Sequence, residues 1–224
     1  MDKINAFVFD AYGTLFNINS LDERLAHYFG KQAEAISTTW RRKQLEYTWL
    51  RALMQRYAPF SQVTQDALTY SCQLAKVKLT DEIRMDLLHR YGVLKAYPDV
   101  PGVLQQLSQT HRLTILSNAD PSFLEQAVEN NQLNSYLEAV LSADTLQTFK
   151  TAPQVYQLAV DTLQLPPEQI AFVTSNPWDV AGAKSFGLIT VWINRGNIPE
   201  QLGFSADHEI AGLKELQRTL ISST

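Results

Sequence analysis

From residue 97 onward the chain alternates helix-patterned segments with short apolar runs, which is the pattern of a parallel sheet wrapped by helices. The expected order is helix 101–109, strand 112–117, helix 121–130, strand 138–142, helix 153–164, strand 170–174, helix 178–186, strand 188–193 and a final helix 212–221. One strand lies far upstream of these. Residues 4–9, Ile-Asn-Ala-Phe-Val-Phe, form an apolar run that stops at Asp10 and is followed by Gly13, too short a stretch for a helix. Between the first strand and the others, residues 17–96 carry helical patterns alone. Ser20 and Glu23 have the spacing of a capping box, Leu21, Leu25, Tyr28 and Phe29 make an apolar stripe, and Gly30 suits a C-terminal cap. A longer helix is expected over 36–57, where Leu50, Leu53, Met54 and Tyr57 fall at i, i+3, i+4 and i+7. Two more fit 61–76 and 80–91, the second with Asp81 and Glu82 in its first turn and Gly92 as its stop. The simplest architecture is one α/β domain, 1–16 plus 97–224, with a helical domain, 17–96, inserted after the first strand.

Composition narrows the function classes. At 224 residues and 45% hydrophobic content the chain has enough apolar material for a substantial core. With 19 Lys+Arg against 23 Asp+Glu, the net charge of −4 argues against binding a phosphate backbone, so no nucleic-acid partner is expected. Cys72 is the sole cysteine, which excludes an internal disulfide and a thiolate metal site. No segment approaches the ~18 consecutive apolar residues of a membrane span, and Met1–Asn5 do not lead into a signal-peptide core. The expectation is a cytoplasmic protein without a membrane partner.

In an open parallel sheet, ligands bind outside the carboxyl ends of the strands. Those positions hold Asp10-Ala11-Tyr12-Gly13-Thr14-Leu15, then Ser117-Asn118-Ala119-Asp120, then Lys150, then Thr174-Ser175-Asn176-Pro177-Trp178-Asp179. Each has an ordinary explanation alone: Asp10 capping a turn, Ser117 and Asn118 forming one, Lys150 a solvated charge, Asp179 a carboxylate favoured by a helix dipole. Together, in order and spacing, they resemble the four motifs of the haloacid dehalogenase superfamily across essentially the whole chain. The resemblance implies a Rossmann-like parallel-sheet core with the helical insertion as a cap domain.

Phosphatase members of that superfamily carry a second Asp two residues after the first, and acid pairs in the fourth motif that hold magnesium. Here the first position is Tyr12, and Ser175 and Asn176 stand where more acid would be expected. The chain is instead similar to the L-2-haloacid dehalogenase subgroup, through Phe-Asp-Ala-Tyr-Gly-Thr-Leu-Phe at 9–16, Trp-Arg-Arg-Lys-Gln-Leu-Glu-Tyr-Thr-Trp-Leu-Arg at 40–51, Leu-Ser-Asn at 116–118 and Ser-Asn-Pro-Trp-Asp at 175–179. The segment at Arg41 is the most telling, because it lies in the helices where superfamily members vary most. A solvated basic face remains the reading for Arg42, Lys43 and Arg51.

The chemistry follows from the residue types. An alkyl halide needs a nucleophile in line with its carbon–halogen bond and a group to solvate the departing anion, with no metal and no cofactor. Asp10 can attack C2 to give an ester. Arg41 can receive the halide, with Asn118 as a further donor. Tyr12, Leu45, Phe60 and Trp178 would form an apolar wall, for which plain core packing is the alternative. Ser117 and backbone N–H groups near Ala11 and Asn118 can hold the substrate carboxylate. Asp179 is the candidate base for water, and Lys150 can keep Asp10 ionised. Thr14, Tyr156, Thr174 and Asn176 complete the candidate set. Two departures from the subgroup stand out: Lys150-Thr151-Ala152-Pro153 in place of Lys-Pro, and Thr174 in place of Ser. The expected partners are a small 2-haloacid and halide. The resemblance further implies preference for the L (S) enantiomer, inversion at C2 and a homodimer. The alternatives are a magnesium-dependent phosphatase of the same superfamily and a non-catalytic carboxylate-binding relative.

Overall fold

The computed structural model describes residues 4–216. Six parallel strands, β1 (Ala6–Phe9), β2 (Arg112–Ser117), β3 (Ala139–Ser142), β4 (Ile170–Thr174), β5 (Ile189–Ile193) and β6 (His208–Ile210), lie in the order β3-β2-β1-β4-β5-β6. β1 sits between β2 and β4, with Phe9 level with Ile115 on one side and Val173 on the other. All four of its residues are fully buried, as an apolar run covered on both faces requires. Its side chains alternate between two apolar layers: Phe7 and Phe9 join the larger one, Ala6 and Val8 the smaller one with Val155, Tyr156 and Phe172. Because β2 and β4 flank β1 on opposite sides, the chain reverses direction across the sheet there. The carboxyl ends of β1, β2 and β4 consequently open on one crevice.

Four helices stand between β1 and the rest: α1 (Ser20–Phe29), α2 (Ala33–Met54), α3 (Phe60–Leu74) and α4 (Asp81–Gly92). Four more, α5 (Val100–Leu107), α6 (Pro121–Asn130), α7 (Pro153–Leu163) and α8 (Pro177–Phe186), wrap the sheet. The last three begin with proline, whose missing N–H costs nothing in a first turn.

Several local expectations are corrected. There is no capping box, because Asn19 takes the cap position and Ser20 Oγ donates to the Asn17 carbonyl at 3.0 Å. Gly30 ends α1 at φ +52 and a short 3-10 turn follows, so α2 starts at Ala33. It stops at Met54, where Gln55 turns left-handed. Its buried face is Ala33, Ile36, Ser37, Trp40, Gln44 and Thr48, whereas Leu50, Leu53 and Met54 of the stripe that signalled the helix are exposed, Leu53 at 81%. α2 faces α3 through a polar seam: Trp40 Nε1 donates to the Thr64 carbonyl at 2.9 Å and Gln44 Nε2 to Thr64 Oγ1 at 2.6 Å. β6 was not foreseen, since three residues with His and Glu among them give no apolar alternation. Of the expected helix 212–221, the described part is a 3-10 turn, Leu213–Glu215, leading into helical backbone at Leu216, and residues 217–221 lie outside the described residues.

Candidate active site

Asp10 leaves the end of β1 into a tight loop in which the N–H groups of Leu15 and Phe16 return to the Ala11 carbonyl. Gly13 adopts φ +85, a conformation that favours glycine, and a Cβ there would meet Ser175 Oγ at 3.4 Å, so the backbone and not space requires glycine. The loop is held from outside by Arg195, just past β5. Its Nη1 donates to the Gly13 carbonyl and its Nη2 to the Thr14 carbonyl, each at 3.0 Å, with the guanidinium 3.9 Å from the Tyr97 ring centre.

This loop and the β4 end together orient one oxygen of the Asp10 carboxylate. Oδ2 accepts from Thr14 Oγ1 at 2.8 Å, Asn176 Nδ2 at 2.9 Å and, more weakly, Thr174 Oγ1 at 3.4 Å. Thr14 Oγ1 in turn accepts the Ser175 N–H at 2.9 Å, so the two loops are tied at the carboxylate. Oδ1 accepts from Lys150 Nζ alone, at 3.0 Å, and is the less encumbered oxygen.

Lys150 is the centre of the cluster. Its side chain is 1% exposed and its ammonium also donates to Asp179 Oδ2 at 2.8 Å. Burial pulls the lysine pKa down, but the charges of Asp10 and Asp179 outweigh it and leave the ammonium above its ordinary value. Asp179, fully buried at the first turn of α8, accepts from Tyr156 Oη at 2.7 Å through its other oxygen. Burial raises its pKa to about 6; Lys150 opposes the rise and the Asp10 charge adds to it. Tyr156 stays protonated, its phenol driven far up by burial and by Asp179. Its hydroxyl reaches Asp179 because residue 182 has no side chain: a Cβ on Gly182 would fall inside contact distance of Tyr156 Oη and of Thr151.

The β2 end contributes orientation. Asn118 Oδ1 accepts the Lys150 backbone N–H at 2.8 Å, which fixes the amide and leaves its Nδ2 as a donor. Ser117 Oγ accepts the Ala119 N–H at 3.2 Å and keeps its own proton to give. Hydrogen bonds thus bring Asp10, Thr14, Asn118, Lys150, Tyr156, Thr174, Asn176 and Asp179 into one network. The two carboxylates of that network are bridged by an ammonium, and among the described residues no three His, Cys, Asp or Glu side chains group as metal ligands.

The side chains of the remaining candidates make no hydrogen bond to the network. Ala11 is buried in the loop. The Tyr12 phenol, pushed far up by burial, donates to the Tyr91 carbonyl at 3.3 Å. Phe60 is the first residue of α3 and 9% exposed, Leu45 is half-buried on α2, and Trp178 is half-buried on α8. Arg41 sits on the segment that follows the Asp10 loop: its Nη2 donates to the Ile18 carbonyl at 3.1 Å and Asp22 Oδ1 at 2.9 Å, its Nη1 to Asn19 Oδ1 at 3.3 Å.

Four contributors escaped the sequence reading. Arg195 stands at the end of β5, and carrying the strand-end rule one strand further would have found it. Ser175 was noted as a missing acid and acts as a partner of Thr14. Tyr91, beneath Tyr12 at 5.7 Å between ring centres, and Trp49, against Trp178 at 5.9 Å, are aromatic residues of the insert, Trp49 inside the 40–51 segment that carries the resemblance but with no role assigned to it there.

Comparison with known proteins agrees with this arrangement. Residues 4–187 match the family model of haloacid dehalogenase-like hydrolases. The chain is 41% identical over 226 aligned positions, covering all of both chains, to (S)-2-haloacid dehalogenase 1 of Pseudomonas sp. (strain CBS-3). It is 39% identical to haloacetate dehalogenase H-2 of Moraxella sp. (strain B), covering 94% of this chain and 95% of that one. The fold superimposes with a TM-score of 0.92, at 33% identity, on L-2-haloacid dehalogenase from Xanthobacter autotrophicus with chloropropionic acid covalently bound, covering 99% and 100% of the two chains. With a buried carboxylate–lysine–carboxylate network at the strand ends and whole-length relatives of this kind, the chain belongs to the haloacid dehalogenase-like hydrolases.

Proposed function

We propose that the protein is an (S)-2-haloacid dehalogenase, which hydrolyses short L-2-haloalkanoates to (R)-2-hydroxyalkanoates and halide. The observation that carries this reading is Asp10 itself: a buried carboxylate, paired with the Lys150 ammonium at 3.0 Å, with Tyr12 where a second acid would protonate a phosphoester leaving group.

In the first step Asp10 Oδ1 forms a bond to C2 as the carbon–halogen bond breaks, and the halide departs with the bonding pair. Oδ2 is held by Thr14 and Asn176, which fixes the line of attack. Arg41 and Asn118 Nδ2 receive the halide, Ser117 and strand-end N–H groups hold the substrate carboxylate, and Tyr12, Leu45, Phe60 and Trp178 exclude water during attack. In the second step water adds to the Asp10 carbonyl carbon and gives a proton to Asp179, which Tyr156 and Lys150 orient. The carbon–Oδ1 bond of Asp10 then breaks as Asp179 returns its proton to the departing oxygen, which leaves on C2 as the product hydroxyl, and the second water proton passes to solvent as Asp10 returns to its carboxylate. Lys150 steadies the oxyanion between these events.

The division into a core, 1–16 plus 97–224, and a cap, 17–96, belongs to the same proposal, as does a homodimer. The dimer is supported by the exposed apolar run of Leu50, Leu53 and Met54 on α2, which a second copy would cover. No helix among the described residues is long and apolar enough to cross a membrane. We place the enzyme in the cytoplasm.

The test is halide release from (S)-2-chloropropionate before and after exhaustive chelation. Release is expected to survive EDTA, and phosphoesters are expected to yield no phosphate. Loss of release on chelation, restored by magnesium, would overturn the reading.

Arg41→Lys keeps a positive charge and removes the planar donor array. Halide release should fall at least ~10-fold, about 1.4 kcal/mol of transition-state stabilisation. A steady-state assay giving the wild-type rate would return Arg41 to a role in surface ion pairing with Asp22.

A further inference from the structure

The first turn of α3 has N–H groups to satisfy, and Pro59, which stands at its cap position, has no side-chain acceptor to offer. The acceptor comes from the other domain. Both carboxylate oxygens of Asp120 approach the Ser61 N–H, at 3.1 and 3.3 Å. Asp120 occupies the cap position of α6, directly before Pro121, where an aspartate ordinarily bonds its own helix, yet it makes no such bond. Its carboxylate is turned outward to cap a helix of the insert.

The same connection is anchored a second time. The Tyr57 hydroxyl donates to Asp144, in the turn after β3, and the Tyr57 ring lies 5.4 Å from that of Phe149, the neighbour of Lys150. The stretch 57–61 therefore rests on the ends of β2 and β3, and Phe60 lies within it.

We propose that Asp120 is a positioning residue: by capping α3 from the core it docks Phe60 against the Ser117–Asp120 loop and holds the apolar wall closed over Asp10. What the wall does rests on the dehalogenase reading given above; the clasp itself rests on the Asp120–Ser61 contact. A clasp of this kind stabilises bound substrate and the transition state alike, so its loss raises KM and spares kcat.

The experiment compares the full-length Asp120→Ala and Asp120→Asn variants with wild type, reading KM and kcat on (S)-2-chloropropionate and hydrogen exchange at the Ser61 amide. For Asp120→Ala, KM is expected to rise about fivefold, the effect of one lost cap, with kcat changed by less than about twofold. The Ser61 amide should exchange about tenfold faster. Asp120→Asn, whose amide oxygen still accepts the Ser61 N–H, should recover most of both. Wild-type KM and exchange in Asp120→Ala would overturn the proposal, as would an asparagine variant no better than alanine. If wild type itself released no halide, the dehalogenase reading would fail, while the exchange measurement would still decide the clasp.

Discussion

Asparagine at position 10 is expected to lower halide release by at least ~10⁴-fold, the range seen when a covalent nucleophile is removed, or more than about 5 kcal/mol of transition-state stabilisation. The change keeps the shape, leaves Thr14, Asn176 and Thr174 with an acceptor and leaves Lys150 its bond to Asp179; what disappears is the anionic Oδ1 facing Lys150. The wild-type protein offers a sharper test of the same residue. In a single turnover in ¹⁸O-water with enzyme in excess, solvent oxygen should enter the peptide bearing Asp10, and the first 2-hydroxy product should be essentially unlabelled. Direct attack by a water that Asp179 activates would give the reverse pattern. Both routes invert C2, so stereochemistry does not separate them and the position of the label does.

Replacing Lys150 with methionine should damage both stability and rate. The side chain is 1% exposed and lies between two carboxylates that are 7% and 0% exposed. Removing one partner from a buried ion cluster costs about 3–5 kcal/mol, a large part of the roughly 5–15 kcal/mol that holds a domain folded. Urea unfolding should show that loss directly. Adding Asp179→Asn to the methionine variant removes one stranded charge and should return part of the stability. It should return no activity, because the variant still lacks the ammonium that steadies the oxyanion, a contribution of about 10²–10³ in rate. A methionine variant as stable as wild type would mean that the cluster relaxes freely to water.

The network around Asp10 was legible because a parallel sheet obliges every strand to end on the same edge. Once 4–9, 112–117 and 170–174 are strands, Asp10, Ser117, Asn118 and the 174–179 segment must converge. Lys150 came through its place in the motif order, since its backbone is tied by a bond to Asn118 that no local pattern announces. The helical insert was less readable. The stripe at Leu50, Leu53 and Met54 reported a helix correctly and its buried face wrongly, because periodicity says that a helix has an apolar side without saying what covers it. Trp40, Gln44 and Thr64 set that face through hydrogen bonds between two helices, and polar pairing across a gap leaves no spacing in either sequence. Asp120 stood in view at the end of the 112–117 strand, yet its role is set by a backbone N–H 59 positions away.

Gly182 carries a consequence for how this sequence can change. It lies within α8, where the helical backbone accepts any L residue, so glycine is present there for space and not for conformation. That space belongs to the Tyr156 hydroxyl and to Thr151. An alanine can enter at 182 only if its neighbours retreat, and the hydroxyl cannot retreat without letting go of Asp179. Positions 156 and 182 are thus one coupled choice: among descendants of this chain, a side chain at 182 and a tyrosine bonded to Asp179 should not be found together.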